Sequence, residues 1–200
     1  MKFNISTITC FISYPAVALF SLALVCDTKH TFILCMISSV LHESGHIFTM
    51  KRFKAKVSSV CINVGDIRIV SDCSKLGFYE DIAVSLSGVA VNLLLSALSL
   101  IFYQVFKSDI FMNILGVNLC IGLFNLLPIR YLDGGQVFEN ILSVFLTQKN
   151  TDRILNIVSV IFLIPILVVG FIFVLRAEYN FSLLLAVCYL ICTIVSKELL

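Results

Sequence analysis

Apolar runs as long as a bilayer is thick recur along this 200-residue chain, and no other feature narrows its choice of folds so far. A spanning helix needs ~20 mostly apolar residues, because the ~30 Å hydrocarbon core offers no water to an unpaired backbone group. Six segments meet that need: Ile5–Cys26, Thr31–Met50, Ile82–Phe106, Ile110–Leu127, Ile154–Leu175 and Tyr179–Ser196. Composition agrees. Hydrophobic residues make up 60% of the chain and charged residues 13%, with a mean hydropathy of +1.05, against roughly 45–50% and about 25% in soluble domains. The expectation is an all-α polytopic membrane protein of about six transmembrane helices, with a small membrane-associated β-hairpin between the second and third. Lys2 ahead of the first run also suits a signal peptide. That run is too long for a signal core, no small-residue cleavage site follows it, and Val25 before Cys26 speaks against a lipoprotein site, so a retained span is expected.

Lys and Arg fix the expected orientation. With the N-terminus inside, Lys2, Lys51, Arg52, Lys54, Lys56, Arg68, Lys75, Arg130, Lys149, Arg153 and Lys197 lie inward, and Lys29, Lys107 and Arg176 outward. Both termini are then cytoplasmic. A net charge of +2 spread over several loops gives no footprint for nucleic acid. Of the eight cysteines, Cys10, Cys26, Cys35, Cys120, Cys188 and Cys192 fall in or at the ends of apolar runs, and Cys61 and Cys73 on the reducing side. They read as small apolar residues, not as disulfides.

The second span, TFILCMISSVLHESGHIFTM, holds His42, Glu43 and His46. Ionisable groups at membrane depth are costly and default to a functional reading. On a helix the two histidines lie one turn apart on one face, a spacing that lets two imidazoles close on one zinc ion. Glu43 projects from nearly the same face, placed to take a proton from water at the metal. Two of the chain's three histidines sit in this motif, where unpaired burial costs several kcal/mol each, so chance is a poor account of it.

Catalytic zinc usually takes three protein ligands and leaves one position open. The motif lies toward the inner end of its span, which sets Asp27 and Asp109 on the wrong side. Asp66, Asp72, Glu80, Asp81, Glu139 and Asp152 are on the right side, in segments rich in ordinary surface charge. Asp133 differs, following the fourth span in NLLPIRYLDGGQ. Pro128 ends or bends that helix, and Gly134-Gly135 permit close backbone approaches. The residues alone leave two roles open for Asp133: a third ligand, or an N-cap with Gln136 in the capping-box position.

HESGH in the second span, SGVAVN in the third and NLLPIRYLDGG after the fourth together resemble the site-2 protease family of intramembrane zinc metalloproteases, and in detail its sporulation branch of the stage IV FB type. The resemblance covers roughly residues 31–136. It implies a zinc metalloendopeptidase with one Zn2+ held by His42, His46 and Asp133, and Glu43 as the catalytic acid–base. It also implies a membrane-embedded or membrane-tethered protein substrate, such as a sporulation sigma-factor precursor, cut near the cytoplasmic face. A bacterial cell or forespore membrane as the location, and an inhibitory membrane partner, belong to the same expectations. A single protease domain over residues 1–200 is expected, with a catalytic core at about 31–136, helices at about 154–196, and neither a CBS nor a PDZ domain. Val89 stands where the family usually has proline, and Arg130-Tyr131 where it is often more apolar.

Three further features stay open between a structural and a functional reading. AKVSSVCINVGDIRIVSD reads as a hairpin, either a plain cytoplasmic loop or an edge to which an unwound substrate adds a strand. Asn92 and Asn125 either bind substrate or bond between helices. The apolar pattern of residues 136–149 suits a helix lying along the inner surface. Two rival functions are a catalytically silent membrane regulator of the same fold and a metal-ion transporter.

Overall fold

Whether an apolar helix crosses a membrane or hides in a soluble core is decided by which of its residues are buried. The computed structural model describes residues 2–5, 8–12, 31–63, 66–72 and 76–175. They fall in two units, Met1–Leu126 and Leu127–Leu200. Among the described residues three helical segments are long and apolar enough to span a bilayer: Thr31–Arg52, Phe78–Phe106 and Gln148–Val169.

The first unit contains α1 (Thr31–Arg52), α2 (Phe78–Phe106) and the shorter α3 (Asp109–Asn125). Their burial is inverted relative to a soluble protein. On α1 the buried residues include Ser38, His42, Gly45 and His46, while Val40 and Phe48 are 60% and 74% exposed. On α2, Ser85, Gly88, Asn92, Ser96 and Ser99 are buried, and Leu94 and Ile101 face outward. Small and polar residues at intervals of three and four line the helix contacts, as they do where lipid offers apolar groups no gain from burial against protein. The contacts are close. A β-carbon on Gly45 would lie 2.9 Å from the Ser87 carbonyl oxygen and from Val91 Cγ2. One on Gly122 would lie 3.3 Å from Asn92 Cβ.

The helix ends follow ordinary capping chemistry. Lys54, at φ 59°, takes the left-handed turn that closes α1, and the Ala55 N–H donates to the Met50 carbonyl at 2.9 Å. At the start of α2 the Gly77 N–H donates to Glu80 Oε2 at 2.9 Å. Lys51 and Arg52 in the last turn of α1, and Glu80 and Asp81 in the first of α2, complement the helix dipoles.

Strands replace the start of the expected first span. β1 (Lys2–Ile5) and β2 (Ile8–Ile12) pair antiparallel, so the helix expected over Ile5–Cys26 is corrected over its opening residues; residues 13–30 lie outside those described. The reason is legible afterwards. ISTITCFI is rich in β-branched residues, with an aromatic among them, which suits a strand, and a bilayer-length hydropathy window averages over it. β2 pairs parallel with β3 (Lys56–Asn63), which pairs antiparallel with β4 (Asp66–Asp72) through an irregularity between Val57 and Ser59. The order β1-β2-β3-β4 leaves β1 and β4 as edges.

The second unit contains α4 (Asp133–Phe145) and α5 (Gln148–Leu175, with Pro165 inside it). On α5, Thr151, Leu155, Ser159 and Leu163 form one buried stripe at a spacing of four. The expected span Tyr179–Ser196 lies outside the described residues.

The glycines give a direct test of the close helix approach. Gly45→Ala forces α1 and α2 apart and is expected to destabilise the fold by about 1–3 kcal/mol. Gly116, with nothing within 4 Å of its would-be β-carbon, is expected to accept alanine with no loss. Unfolding midpoints of the two variants in detergent check the contrast.

Candidate metal centre

Helical spacing stacks His42 and His46 on the inward face of α1, 4% and 7% exposed. Their rings meet edge to face with centroids 4.8 Å apart, and the two Nε2 atoms are 3.2 Å from one another. The other ring nitrogens are tied to α2. His42 Nδ1 lies 2.9 Å from Asn92 Oδ1, and His46 Nδ1 lies 2.8 Å from the Val84 carbonyl oxygen, with Ser87 Oγ at 3.4 Å.

These partners fix the protons. A carbonyl oxygen only accepts, so His46 Nδ1 donates to Val84. Asn92 Nδ2 donates to Asn118 Oδ1 at 3.4 Å, which turns the Asn92 oxygen toward His42 and makes His42 Nδ1 a donor as well. A neutral imidazole protonated at Nδ1 carries a lone pair at Nε2. Two such lone pairs facing each other repel unless a cation sits against them, and imidazole nitrogen is a preferred donor for zinc and other transition metals. The donor set therefore fits a metal ion. Gly88 keeps the space open: a β-carbon there would overlap His46 Nε2 and lie 2.7 Å from both Nε2 and Cε1 of His42.

Glu43 is half-buried beside His42 on α1. Asn92 is fully buried, its amide engaged at one end by His42 and at the other by Asn118. Asn125, the last residue of α3, donates through Nδ2 to the Ile121 carbonyl at 3.0 Å.

In the second unit Asp133 is buried at the first position of α4, and the N-cap is Leu132. The N-cap position left open for Asp133 is thus its neighbour's, and no side chain there caps the helix. The segment before it is tightly held. Tyr131 sits at φ 76°, a region a bulky residue enters only when its surroundings impose it. A β-carbon on Gly135 would overlap the Ile129 carbonyl oxygen. Arg130 reaches α5, donating to Asp152 Oδ1 at 2.7 Å and Asn156 Oδ1 at 2.9 Å, while its backbone N–H donates to Ser159 Oγ at 2.8 Å. Sequence reasoning missed Asn118 and this clamp. Asn118 carried the same signal as Asn92, an amide within an apolar run; the Asp152/Asn156/Ser159 row is visible as polar residues at helical spacing.

Residues 108–169 match the model of peptidase family M50, a stretch that holds Asp133 but not the histidine pair. A zinc metalloprotease of Methanocaldococcus jannaschii is 30% identical over 118 residues, a match covering 56% of this chain and 34% of the relative. The chain thus spans about a third of that curated relative's length. The solved structure of a site-2 protease from the same organism superposes with a TM-score of 0.72 at 22% identity, covering 95% of this chain and 91% of that one. The chain is thus similar to peptidase family M50 over residues 108–169 and to the site-2 protease in its fold. Its fold is that of the solved site-2 protease, and three helical segments among the described residues are long and apolar enough to cross a membrane.

Gly88 is the position where one added methyl group meets the histidine pair directly. Gly88→Ala is expected to lose at least about tenfold in zinc affinity, since the methyl would occupy the space between the two imidazoles and push both rings aside. Elemental analysis of the purified protein, with Gly116→Ala as the reference, checks it; equal zinc in the two would refute the assignment.

Proposed function

We propose that this chain is an intramembrane zinc endopeptidase that hydrolyses peptide bonds of membrane-embedded or membrane-tethered proteins near the cytoplasmic face. The observation that carries the reading is the pair of imidazoles, each held at Nδ1 by an oxygen of α2, whose Nε2 atoms converge to 3.2 Å in a helix with lipid-type burial. His42 and His46 supply two ligands and Asp133 the third, a buried carboxylate at a helix start whose preceding loop is clamped by Arg130. Bound there, zinc acidifies water and polarises the scissile carbonyl. Glu43 takes the proton of the attacking water and returns it to the leaving nitrogen. Asn125 contributes to holding the substrate backbone. The role of Asn92 lies with His42 instead, because both ends of its amide are engaged. The edge strand β4 suits strand addition by an unwound substrate, which exposes carbonyls that a helix hides. The inward-lying basic residues put the N- and C-termini in the cytoplasm. The resemblance of the motifs to the sporulation branch favours a sigma-factor precursor as substrate and the forespore membrane as location.

Full-length protein reconstituted with zinc and a membrane-tethered reporter tests the reading. Glu43→Gln is expected to keep its zinc and lose cleavage by at least ~10²-fold, and Asp133→Asn to lose both. Cleavage unchanged in Glu43→Gln sinks the proposal. Absence of cleavage in the wild type as well would favour a silent regulator of the same fold, and zinc uptake into sealed vesicles a transporter. Trapping with Glu43→Gln in the native cells is expected to recover a membrane-associated sigma-factor precursor.

A further inference from the structure

We infer that Asn118, a residue of α3 that touches neither histidine, sets the proton position on His42 through Asn92 and so acts as a positioning residue for the metal. The inference rests on the zinc reading for its consequence, but its geometry stands alone.

The relay runs in one direction across three helices. Asn118 spends its Nδ2 on its own helix, donating to the Ile114 carbonyl at 2.9 Å. Its Oδ1 is therefore the end presented to α2, where it accepts from Asn92 Nδ2 at 3.4 Å. Asn92 then has only its Oδ1 to offer His42 Nδ1, at 2.9 Å. An amide has one accepting and one donating end, so reversing Asn118 reverses Asn92. That would present an NH2 group to His42, move the ring proton to Nε2 and remove the lone pair a metal needs.

Packing leaves these groups little freedom to rearrange. Asn92 and Asn118 are 0% and 1% exposed, and Gly122, one turn beyond Asn118, lets α3 approach Asn92 Cβ closely. Ser96, one turn along α2, donates to the Asn92 carbonyl at 2.9 Å and lies 3.4 Å from the Leu115 carbonyl, which ties the same two helices. Simple interhelical glue would be indifferent to which end of each amide faces which neighbour. A ligand-orienting relay is not, because outer partners of metal-bound imidazoles fix the tautomer and typically change metal affinity about 10–100-fold when removed.

The test uses full-length protein in detergent, with zinc affinity from chelator competition and the His42 tautomer from 15N NMR of the metal-free protein. Asn92→Leu is expected to weaken zinc binding about 10–100-fold, and Asn118→Leu about tenfold. Asn118→Asp, as the neutral acid that burial favours, donates its carboxyl proton to the Ile114 carbonyl, keeps the acceptor facing Asn92 and is expected to stay close to wild type. The Nδ1–H tautomer of His42 should persist in Asn118→Asp and mix with the Nε2–H form in both leucine variants. Asn92→Ser, which withdraws the acceptor from His42 but keeps a polar group in the helix, replaces the leucine variant if that does not fold. A lower melting temperature in Asn118→Leu with zinc affinity and tautomer unchanged would overturn the inference. Wild-type protein that binds no zinc while its tautomers follow the pattern would instead sink the protease reading and leave the relay standing.

Discussion

Two imidazole nitrogens aimed at one another inside a lipid-facing helix bundle are the constraint from which the rest of this molecule is best understood. Left alone the arrangement is unfavourable twice over, because it buries polar rings and opposes their lone pairs. Everything adjacent to it maintains the opposition. Val84 and Asn92 hold the outer nitrogens, Gly88 leaves the volume between α1 and α2 unfilled, and Gly45 and Gly122 bring the three helices close enough for those bonds to form. A fold concerned only with stability would fill that space with methyl groups.

The same logic accounts for the distribution of polar residues through the first unit. Apolar side chains gain nothing by leaving lipid for protein, so helix contact is left to small residues and hydrogen bonds. Ser85, Ser96, Ser99, Asn92 and Asn118 occupy the interior while leucines and isoleucines line the exterior. The interior thereby becomes a medium in which a charged centre can be solvated by fixed dipoles.

Much of this was readable in advance because it is local. Helix length and apolar content marked out α1, α2 and α5, and the spacing of His42 and His46 needed only 3.6 residues per turn to predict a shared face. What escaped is non-local or averaged out. The strands β1 and β2 lay hidden in a run whose hydropathy suits a helix. Asn92 could be recognised as polar in an apolar span, but not that its oxygen meets His42, since that depends on where Asn118 spends its own donor. Arg130 looked like a departure from the family pattern until Asp152 and Asn156 were found to receive it.

That clamp has a bearing on where the hydrocarbon begins. Arg130 and Asp152 retain 22% and 35% side-chain exposure, so their ion pair belongs at headgroup depth, while Ser159, bonded to the same arginine's backbone, is completely buried. Seven residues of helix separate Asp152 from Ser159, an axial rise of about 10 Å. The loop that delivers Asp133 is thus moored along the gradient from wet to dry. Polar groups thus step down from the wet end of α5 into its buried face, and on the proposed reading, in which water is consumed within a membrane, that ladder is where water would enter.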